Sequence, residues 1–583
     1  KKLYLIMPFN INKLFDLFTK KQKINFFLLI ILSLINIFLE IISIGLLIPL
    51  LSSFTGDKSF FKDSFEKFGI NVDFINQVSF EQIILILLAV YILKFVFLLF
   101  FAYFKNNFFF SFQLDLIDRL FCEYVKRSYI FHVYSNSAKI IKDFLEEVHH
   151  VSIGFMGSIL SVIIETLLIT SLLTFLLFVQ TQYTIFVLII TAIISFLVFI
   201  VLKNKISSLG LKREKYNLIN LKNINQALGG IKEVKIFRKE NEVINNFKTN
   251  SQNLKNTNWF ISFYNETPRI FFELISLCSF LIILFAFVKL DFSFVEIISY
   301  FVIIFAIFIR IMPSINKLIV SYVNITINKR ATDVLHKELI QNDNKLELNL
   351  NNNNSKEIKF NNEIIIDNLS FKYSSNNEQV LNKINLNIRK GEIFGIIGQT
   401  GSGKSTLIDL LIGLLDPTNG KILVDGIDIK KNKLNWFEKI GYVPQNMYLN
   451  DDSIKKNIAF TYDENKIDNE KVIDSAKKAK ITDLIDNRED KLEARVGERG
   501  NLLSGGQKQR LGLARALYQN TSELLVLDEF TSALDKETEE EIMQEIINFR
   551  KNKTIIMSTH KQNLLNYCDK IYDIEKNKLI NNS

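Results

Sequence analysis

The strongest constraint on the fold of this 583-residue chain is a series of six long apolar runs in its first 320 residues. The runs lie at residues 25–53, 82–104, 153–180, 183–202, 259–289 and 294–320. A helix needs about 20 mostly apolar residues to cross the hydrocarbon core of a bilayer, and every run reaches that length. A large soluble protein can bury one such helix, but six in series predict a membrane domain of six transmembrane helices. The first run exceeds the core of a signal peptide, so we expect it to be retained.

The charges of the loops predict the orientation of these helices. Residues 205–258 carry 11 Lys or Arg and residues 105–152 carry six, whereas the short connections at 181–183 and 290–293 carry none. Loops that are rich in Lys and Arg stay on the cytoplasmic side of a membrane. We therefore expect a multi-pass protein whose long loops and both termini are cytoplasmic, with the segment 54–80 outside.

The charge and the cysteine content exclude other classes of protein. The formal net charge is +9, and the chain has three cysteines. Three cysteines are too few for a disulfide framework or a four-cysteine zinc site. The cytoplasmic loops account for part of the basic excess, so we expect membrane lipids as partners and no nucleic acid.

The composition changes along the chain. Of 52 phenylalanines, 45 precede Phe360, and of 22 glycines, 14 lie from Gly391 to Gly512. The glycine-rich part is typical of a soluble α/β domain, and the asparagine-rich run before it is typical of a linker. The predicted boundaries are a transmembrane domain at 1–345, a polar linker at 346–361 and an α/β domain at 362–583.

A phosphate-binding motif in the α/β domain follows the short apolar strand at 392–397. Residues 398–405 match G-x-x-x-x-G-K-S, and a helix continues to residue 415. Glycines let successive backbone N–H groups point at phosphate oxygens, and the helix N-terminus adds a favourable dipole. We expect Lys404 to reach the β- and γ-phosphates of ATP and the Ser405 hydroxyl to bind Mg²⁺. The candidate nucleotide contacts are Gly398, Gln399, Thr400, Gly401, Ser402, Gly403, Lys404, Ser405 and Thr406.

A second apolar strand, at 524–527, ends in two carboxylates. We expect Asp528 to hold Mg²⁺ and Glu529 to polarise the water that attacks the γ-phosphate. A strand that merely ends in a polar turn is the plain alternative, but the phosphate-binding motif earlier in the domain favours the catalytic interpretation.

The sequence Leu-Ser-Gly-Gly-Gln at residues 503–507 opens a helix between these two motifs. It is the signature of ABC-type ATPases, and the domain resembles that family. The resemblance implies nucleotide contacts from Ser504, Gly505, Gly506 and Gln507.

The other elements of the family are present in order. The resemblance implies that Tyr373 stacks on adenine and that Gln445 contacts Mg²⁺ and the attacking water. It also implies that residues 532–535 form the D-loop and that His560 contacts the γ-phosphate. His560 follows an apolar strand, at 554–557, which favours this role over that of an ordinary structural histidine. The catalytic candidates are Glu529, His560 and Gln445, and the Mg²⁺ candidates are Ser405, Gln445 and Asp528.

The whole chain resembles half of an ABC exporter: a membrane domain of six helices followed by an α/β P-loop ATPase domain. In that family each ATP is bound between the phosphate motif of one chain and the signature of another. All motifs are intact here, so we expect a homodimer that couples ATP hydrolysis to translocation. Two segments, near 131–139 and 229–240, resemble the helices that couple the membrane domain to the ATPase, although ordinary helical turns explain these residues equally well.

Charged residues inside the apolar runs give information about the class of substrate. They are Glu40, Lys94, Glu165, Glu266, Arg269, Glu273 and Arg310. Such groups are costly in lipid and normally face a cavity or a partner. Arg269 has Glu266 and Glu273 within reach along its helix, whereas Lys94 and Arg310 have no carboxylate within four residues.

The segments 268–273 and 310–314 resemble the fifth and sixth helices of PglK-type lipid-linked oligosaccharide flippases. The resemblance implies an ATP-driven flippase of a polyprenyl-pyrophosphate-linked glycan in the bacterial inner (plasma) membrane, serving protein glycosylation. Lys94, Arg269 and Arg310 would then bind the pyrophosphate. The alternatives are the export of another amphiphile, such as a lipid A precursor, a hydrophobic drug or a peptide, and an ATP-gated channel.

Overall fold

The computed structural model divides the chain into two compact units. One consists of Lys1–Lys126 and Ser135–Lys345, and the other of Arg127–Tyr134 and Leu346–Ser583. We call them the membrane unit and the ATPase unit. The structure describes residues 11–50, 79–179, 208–289, 294–341, 357–373, 378–519, 522–550 and 552–581.

Helices build the described part of the chain before residue 342. They are α1 (Ile11–Leu17), α2 (Lys20–Gly45), α3 (Phe80–Lys126), α4 (Tyr129–Tyr134), α5 (Ser137–Lys142), α6 (Met156–Val179), α7 (208–229), α8 (Ile231–Ile236), α9 (Glu240–Lys289) and α10 (Phe294–His336). Wider π-helical turns, Asp143–Glu147 and His150–Phe155, lie between α5 and α6, and another, Lys337–Gln341, follows α10. Thr19 caps α2: its hydroxyl accepts from the N–H of Gln22, whose side chain accepts from the N–H of Thr19.

Four described helical stretches are long and apolar enough to cross a membrane. They are Lys20–Leu50, Phe80–Lys126, Ser137–Leu177 and Phe305–Ile340. These stretches overlap the first, second, third and sixth predicted runs and extend beyond them on the cytoplasmic side predicted for the loops. The fifth run lies within α9, which continues as a helix through Pro268. The fourth run and nearly all of the predicted outer segment lie outside the described residues.

The helices of the membrane unit pack through branched aliphatic side chains. A buried cluster joins α2, α6 and α10 through Ile37, Ile44, Leu168, Leu172, Ile307, Ile311 and Val323. Helix α3 has 47 residues, about 70 Å of helix against about 30 Å of hydrocarbon. Its polar C-terminal half must therefore extend beyond the bilayer.

Two sheets form the ATPase unit. The strands are β1 (Glu363–Phe371), β2 (Leu381–Arg389), β3 (Ile393–Ile397), β4 (Asn419–Val424), β5 (Ile427–Asp428), β6 (Ile440–Val443), β7 (Leu524–Asp528), β8 (Thr554–Ser558), β9 (Lys570–Asp573) and β10 (Lys578–Asn581). An antiparallel sheet has the order β2-β1-β4-β5, and a larger sheet has the order β10-β9-β3-β8-β7-β6. In the larger sheet all neighbours are parallel except β10 and β9.

Helices cover the larger sheet, so its central strands consist of almost unbroken apolar residues. The helices of this unit, besides α4, are α11 (Lys404–Leu411), α12 (Lys433–Phe437), α13 (Ile454–Ala459), α14 (Asn469–Lys478), α15 (Thr482–Asp486), α16 (Gly505–Tyr518), α17 (Lys536–Phe549) and α18 (Gln562–Leu565). Every residue of β7 and β8 is buried. The carboxyl ends of β3, β6, β7 and β8 meet at one edge, where ligands bind in open α/β sheets.

The predicted linker overlaps the core of the ATPase unit. Ile358 and Phe360 are fully buried, and the Phe360 ring lies edge-on to Trp436 at 6.2 Å. The backbone N–H of Ile358 also donates to Asn435 Oδ1 at 2.6 Å. The boundary at 361 was therefore too late, because the surrounding asparagines and lysines obscured two alternating core residues.

The segment Arg127–Tyr134, which we call the docking segment, belongs to the ATPase unit although helices of the membrane unit flank it in sequence. Half-buried Ile130 packs against the apolar core that contains residues of β1 and α11. Burial, together with the charges of Asp409 and Tyr373, raises the pKa of Tyr129. Of the first predicted coupling segment, near 131–139, the residues up to Tyr134 therefore belong to the ATPase unit and those from Ser135 to the membrane unit.

The second predicted coupling segment, 229–240, contains α8 and belongs to the membrane unit. Its apolar residues Ile236 and Phe237 are 75% and 68% exposed in the single chain. Within one chain, therefore, the first segment packs against an apolar core, whereas the apolar residues of the second are exposed.

Candidate active site

The phosphate-binding loop lies between β3 and α11. Gly401 and Gly403 have φ values of 87° and 99°, which side chains rarely tolerate. At Gly403 a Cβ would also lie 3.0 Å from Leu381 Cδ2. The loop thus requires glycine at these positions in order to turn into α11, whose N-terminus faces the loop.

Lys404 is the buried cation of this loop, with a side chain that is 5% exposed. Its Nζ donates to the carbonyl oxygens of Gly398 at 2.9 Å and Gln399 at 3.1 Å. A carboxylate oxygen of Glu529, Oε1, lies 3.5 Å away. A buried ammonium beside the N-terminus of a helix is suited to bind a phosphate group.

The three predicted catalytic residues form one cluster, in which Glu529 contacts both Gln445 and His560. Its Oε2 accepts from Gln445 Nε2 at 2.6 Å, and its Oε1 lies 2.6 Å from His560 Nε2. Backbone contacts hold Glu529 in the left-handed region, φ 45°, where its N–H donates to Ser558 Oγ at 3.0 Å. The cluster forms because all three residues follow the carboxyl ends of parallel strands.

His560 Nε2 lies 3.1 Å from Lys404 Nζ and 2.6 Å from the carboxylate of Glu529. One nitrogen cannot accept from the ammonium while its own N–H donates to the carboxylate. The shorter contact favours the tautomer whose Nε2–H donates to Glu529, in which Lys404 donates to the carbonyl oxygens of Gly398 and Gln399 and not to His560.

Asp528 ends β7 as a buried carboxylate, 3% exposed. Burial raises its pKa, and hydrogen bonds from Ser558 and Ser405 oppose this rise without cancelling it. A cation would lower the pKa again, and the oxygens of Ser405 and Asp528 are the ligand type that Mg²⁺ prefers. Ser402 Oγ, on the same loop, is buried without a hydrogen-bond partner in the described residues. The residues present therefore fit a magnesium nucleotide.

Tyr373 lies beside the loop. Its hydroxyl is 3.2 Å from the Thr406 hydroxyl, and its ring is edge-on to Phe371 at 4.9 Å. The predicted adenine-stacking residue is thus close to the predicted nucleotide contact Thr406.

The signature motif begins α16. Ser504 caps this helix, since its hydroxyl accepts from the N–H of Gln507 and the Gln507 side chain accepts from the N–H of Ser504. Ser504 and Gly505 are exposed. A Cβ at Gly506 would lie 3.0 Å from the carbonyl oxygen of Ala533, so glycine lets the D-loop pack on the signature helix.

Inspection of the sequence missed two partners of the site. Ser558, the last residue of β8, donates to Asp528 and accepts from the Glu529 N–H. Lys561, which follows His560, pairs with buried Glu539 and donates to the Thr531 carbonyl at 2.9 Å. A polar residue that ends an apolar strand beside a catalytic strand is a usable signal for Ser558. No local pattern identifies Glu539.

The three candidate substrate residues, Lys94, Arg269 and Arg310, do not lie in one cluster. Arg310 Nε lies 2.7 Å from Glu40 Oε1, and Lys94 Nζ lies 3.0 Å from Glu40 Oε2. Neither cation has a carboxylate within four residues along its own helix, and both pair instead with Glu40 on α2. Arg269 lies instead 3.8 Å from Glu273, and both side chains are at least 70% exposed.

Comparisons with known proteins agree with this architecture. Residues 26–314 match the ABC transporter transmembrane region, and residues 381–532 match the ABC transporter family. The chain is also similar to a bacterial Atm1-family ABC exporter with ATP bound, with a TM-score of 0.74 and 20% identity over 96% of this chain and 94% of that one.

Among curated relatives, the leukotoxin translocation ATP-binding proteins LktB of Mannheimia glucosida and Mannheimia haemolytica are each 40% identical over 219 residues. The match spans 37% of this chain and only 30% of the length of those relatives. Together the two family models match about three quarters of the chain. The chain therefore belongs to the ABC transporters, with the transmembrane domain and the ATPase domain of an exporter on one polypeptide.

Proposed function

We propose that this protein hydrolyses ATP to flip a polyprenyl-pyrophosphate-linked oligosaccharide across the inner membrane, with its ATPase domain and both termini in the cytoplasm. The cluster of Glu529, Gln445, His560 and Lys404, with contacts of 2.6–3.5 Å, carries the hydrolytic part of the proposal.

The residues of the cluster have distinct tasks. Lys404 binds the β- and γ-phosphates and neutralises their charge. Glu529 orients the attacking water and accepts its proton, while Gln445 and His560 hold the carboxylate in place. Ser405 and Asp528 would bind Mg²⁺, which supplies charge neutralisation at the transferring phosphate.

A second copy of the chain completes each nucleotide site in this proposal. The signature residues Ser504 and Gly505 are exposed at the N-terminus of α16, where backbone N–H groups and the helix dipole attract phosphate. Every motif of the chain is intact, which favours a homodimer with two equivalent sites.

Cations in the membrane unit support an anionic head group for the substrate. Among the described residues, Lys94 and Arg310 share one carboxylate, Glu40, so this group of three keeps a positive charge to offer to a ligand. Guanidinium groups suit pyrophosphate because they bind two oxygens at once. Arg269 stays a candidate as well, on a different helix and exposed.

The test is a comparison of lipids with the purified protein in phosphatidylcholine proteoliposomes. A polyprenyl-pyrophosphate-linked oligosaccharide is expected to stimulate ATP hydrolysis and to be flipped, more than a lipid A precursor, a hydrophobic drug or a peptide. Stimulation by one of those others alone would assign a different substrate. The LktB relatives, named for leukotoxin translocation, make a peptide a necessary member of the set.

Arg269→Ala provides a separate test of that residue. A folded variant that hydrolyses ATP but loses flipping places Arg269 on the substrate path. A variant that loses thermal stability and keeps flipping assigns the residue to its pair with Glu273.

A further inference from the structure

Ser558 ends β8 with a hydroxyl beside the two acidic residues at the end of β7. The strand reads Thr-Ile-Ile-Met-Ser, and all five residues are buried. In the parallel sheet Ser558 pairs with Asp528 on one side and with Ile396 of β3 on the other. Because paired residues of neighbouring strands direct their side chains to the same face of a sheet, the Ser558 hydroxyl has a carboxylate on one side and an apolar side chain on the other.

The Ser558 hydroxyl bonds to both acidic residues at once. Its O–H donates to Asp528 Oδ1, and its oxygen accepts from the backbone N–H of Glu529 at 3.0 Å. Ser558 is 2% exposed and Asp528 is 3% exposed, so little water competes for these bonds. A hydroxyl has a single proton to donate, and this one is committed to Asp528.

The bond to the Glu529 N–H lies at a strained point of the backbone. Glu529 has φ 45°, a left-handed conformation that residues other than glycine avoid and that persists only where contacts enforce it. The same N–H lies 3.2 Å from the Ser558 carbonyl oxygen, so two acceptors of one residue hold it. In this conformation the Glu529 carboxylate lies 2.6 Å from both Gln445 and His560.

Asp528 is oriented by the same hydroxyl. A carboxylate that binds a metal ion has to present its free lone pairs in a fixed direction, and hydrogen-bonded partners behind it provide that direction. Asp528 accepts from Ser558 and also from Ser405. Of these two serines, only Ser558 contacts the Glu529 backbone as well.

Thr554, at the start of β8, provides an internal comparison. It is fully buried, and its hydroxyl accepts from the backbone N–H of Gly391 at 2.9 Å. Thr554 lies four residues before Ser558, on the same face of the sheet and about 13 Å away along the strand. It is therefore a buried hydroxyl of the same strand that holds a backbone N–H without contacting either acidic residue of β7.

We propose that Ser558 is a positioning residue for ATP hydrolysis: its hydroxyl fixes both the carboxylate that would bind Mg²⁺ and the backbone turn that directs the catalytic base. The inference rests on the roles proposed for Asp528 and Glu529 and adds a residue that acts through both of them. A rotation of the Asp528 carboxylate towards a bound cation would be transmitted through Ser558 to the Glu529 backbone, so the two halves of the site would become aligned together.

Ser558→Ala tests this role in the purified full-length protein. At saturating Mg-ATP the variant is expected to lower kcat roughly 10–100-fold. Mn²⁺ binding to the complex with a non-hydrolysable ATP analogue, followed by electron paramagnetic resonance, should weaken about tenfold. Binding of a fluorescent ATP analogue in EDTA should stay unchanged, because Lys404 and the glycine loop are unaltered. A general loss of structure would weaken this binding as well.

Two substitutions at the same position separate the hydroxyl from packing. Ser558→Thr keeps the hydroxyl on a β-branched side chain that suits a strand, and the folded variant should recover most of kcat and of the Mn²⁺ affinity. Ser558→Cys keeps the approximate size of the side chain but is a weak donor and acceptor. It should reproduce the loss of turnover even if Ser558→Ala does not fold.

Thr554→Ala is the matched control, since it removes a buried hydroxyl from the other end of the strand. It should lower the thermal unfolding temperature about as much as Ser558→Ala, with kcat and Mn²⁺ binding unchanged. A double-mutant cycle tests the path: on a Glu529→Gln background at saturating Mg²⁺, Ser558→Ala should lower the residual turnover by less than about twofold, because the base through which it acts is already absent.

The variants distinguish this inference from the proposed function. If Glu529→Gln abolishes turnover but Ser558→Ala keeps the wild-type kcat and Mn²⁺ affinity, the proposed site stands and the inference is wrong. An equal loss of turnover in Thr554→Ala, or no recovery in a folded Ser558→Thr variant, would also overturn it. If Glu529→Gln itself hydrolyses ATP at the parental rate, the catalytic assignment fails and the role of Ser558 fails with it.

Discussion

The Nε2 amide nitrogen of Gln445 donates to Glu529 Oε2 at 2.6 Å, so a residue beyond β6 holds a carboxylate beyond β7. The two strands are parallel neighbours that pair Val443 with Leu527. A movement at either strand end therefore changes the position of Glu529. In the proposed mechanism, this contact would connect the orientation of the attacking water to the loop after β6.

Glu529→Gln is expected to keep nucleotide binding and to lower ATP turnover by about 100-fold or more. The amide preserves the shape of the side chain but cannot accept the proton of the attacking water, while Lys404 and the glycine loop are unchanged. Steady-state hydrolysis and the affinity for a fluorescent ATP analogue measure the two effects. Glu537→Gln, exposed in the first turn of α17, is the matched control. Hydrolysis at the parental rate in Glu529→Gln would contradict the catalytic assignment.

Two substitutions of Ser504 distinguish its role as the cap of α16 from its predicted contact with phosphate across a dimer. Asp and Asn cap helices about as well as Ser, but only Asp adds a charge that repels ATP. Ser504→Asp should abolish most ATP-dependent dimerisation and turnover, whereas Ser504→Asn should keep the fold and retain more of both. Equal activity of the two variants would show that Ser504 acts only as a cap.

A linked dimer tests whether the sites are composite. One half carries Lys404→Ala, which removes the phosphate ligand, and the other carries Ser504→Asp. This dimer retains one complete site and should hydrolyse ATP, provided that a single site suffices. A dimer with both substitutions in the same half has no complete site and is the control. Equal inactivity of both dimers would mean that both sites must act together or that the sites are not shared.

Lys561→Met is expected to destabilise the protein in a pH-dependent manner. Burial alone raises the pKa of Glu539, but hydrogen bonds from Lys561, Asn563 and Thr531 outweigh burial and leave the pKa below its ordinary value. A carboxylate with a lowered pKa stabilises the fold above its ordinary pKa, and this contribution is lost as the pH falls through the lowered value. The variant should therefore lose about 1–3 kcal/mol near pH 7 and progressively less in acid.

Thermal unfolding of the purified full chain in detergent, over a pH series, measures this effect. Lys561→Arg should behave as the wild type, and Glu539→Gln combined with Lys561→Met should recover part of the stability. A loss that is the same at every pH would point to packing of the lysine stem and not to the ion pair.

Arg310→Ala is expected to lower lipid-stimulated ATP hydrolysis and flipping, because it removes one of the two cations that pair with Glu40. Arg310→Lys should retain part of both, since the charge survives but the fork that binds two phosphate oxygens does not. Flipping assays with fluorescent lipid report the difference. If the folded Arg310→Lys and Arg310→Ala variants are equally defective, transport requires the geometry of the guanidinium and not only its charge. If both variants are normal, Arg310 is not on the substrate path.

Sequence patterns predicted the motifs and helices whose structure depends mainly on residues that are close together in the chain. The glycine spacing before α11 and the apolar strand before Asp528 were sufficient to place both motifs at strand ends, and the parallel sheet brings them together. The apolar runs likewise predicted that α2, α3, α6 and α10 exist, because the thickness of the bilayer sets the minimum length of an apolar run that crosses it.

Contacts between distant parts of the chain were not accessible in the same way. Glu40 lies far in sequence from Lys94 and Arg310, so a search within one helical turn found no partner for either cation. Glu539 and Lys561 meet only after α17 and β8 have packed. Ile358 and Phe360 were hidden in a polar run, and only the core around Trp436 shows that they belong to it.

The docking segment makes the ATPase unit discontinuous along the gene. Arg127–Tyr134 leaves the ribosome well before β1, so Ile130 has to wait for the core of this unit to be synthesised before it can pack against it. A truncated domain that starts near Ile358 would lack the apolar cover of Ile130 and should be prone to aggregation. A synthetic peptide of residues 127–134, added in trans, should bind that truncated domain and improve its solubility. Dissection of the chain at the obvious domain boundary would thus remove a part of the enzyme that belongs to it.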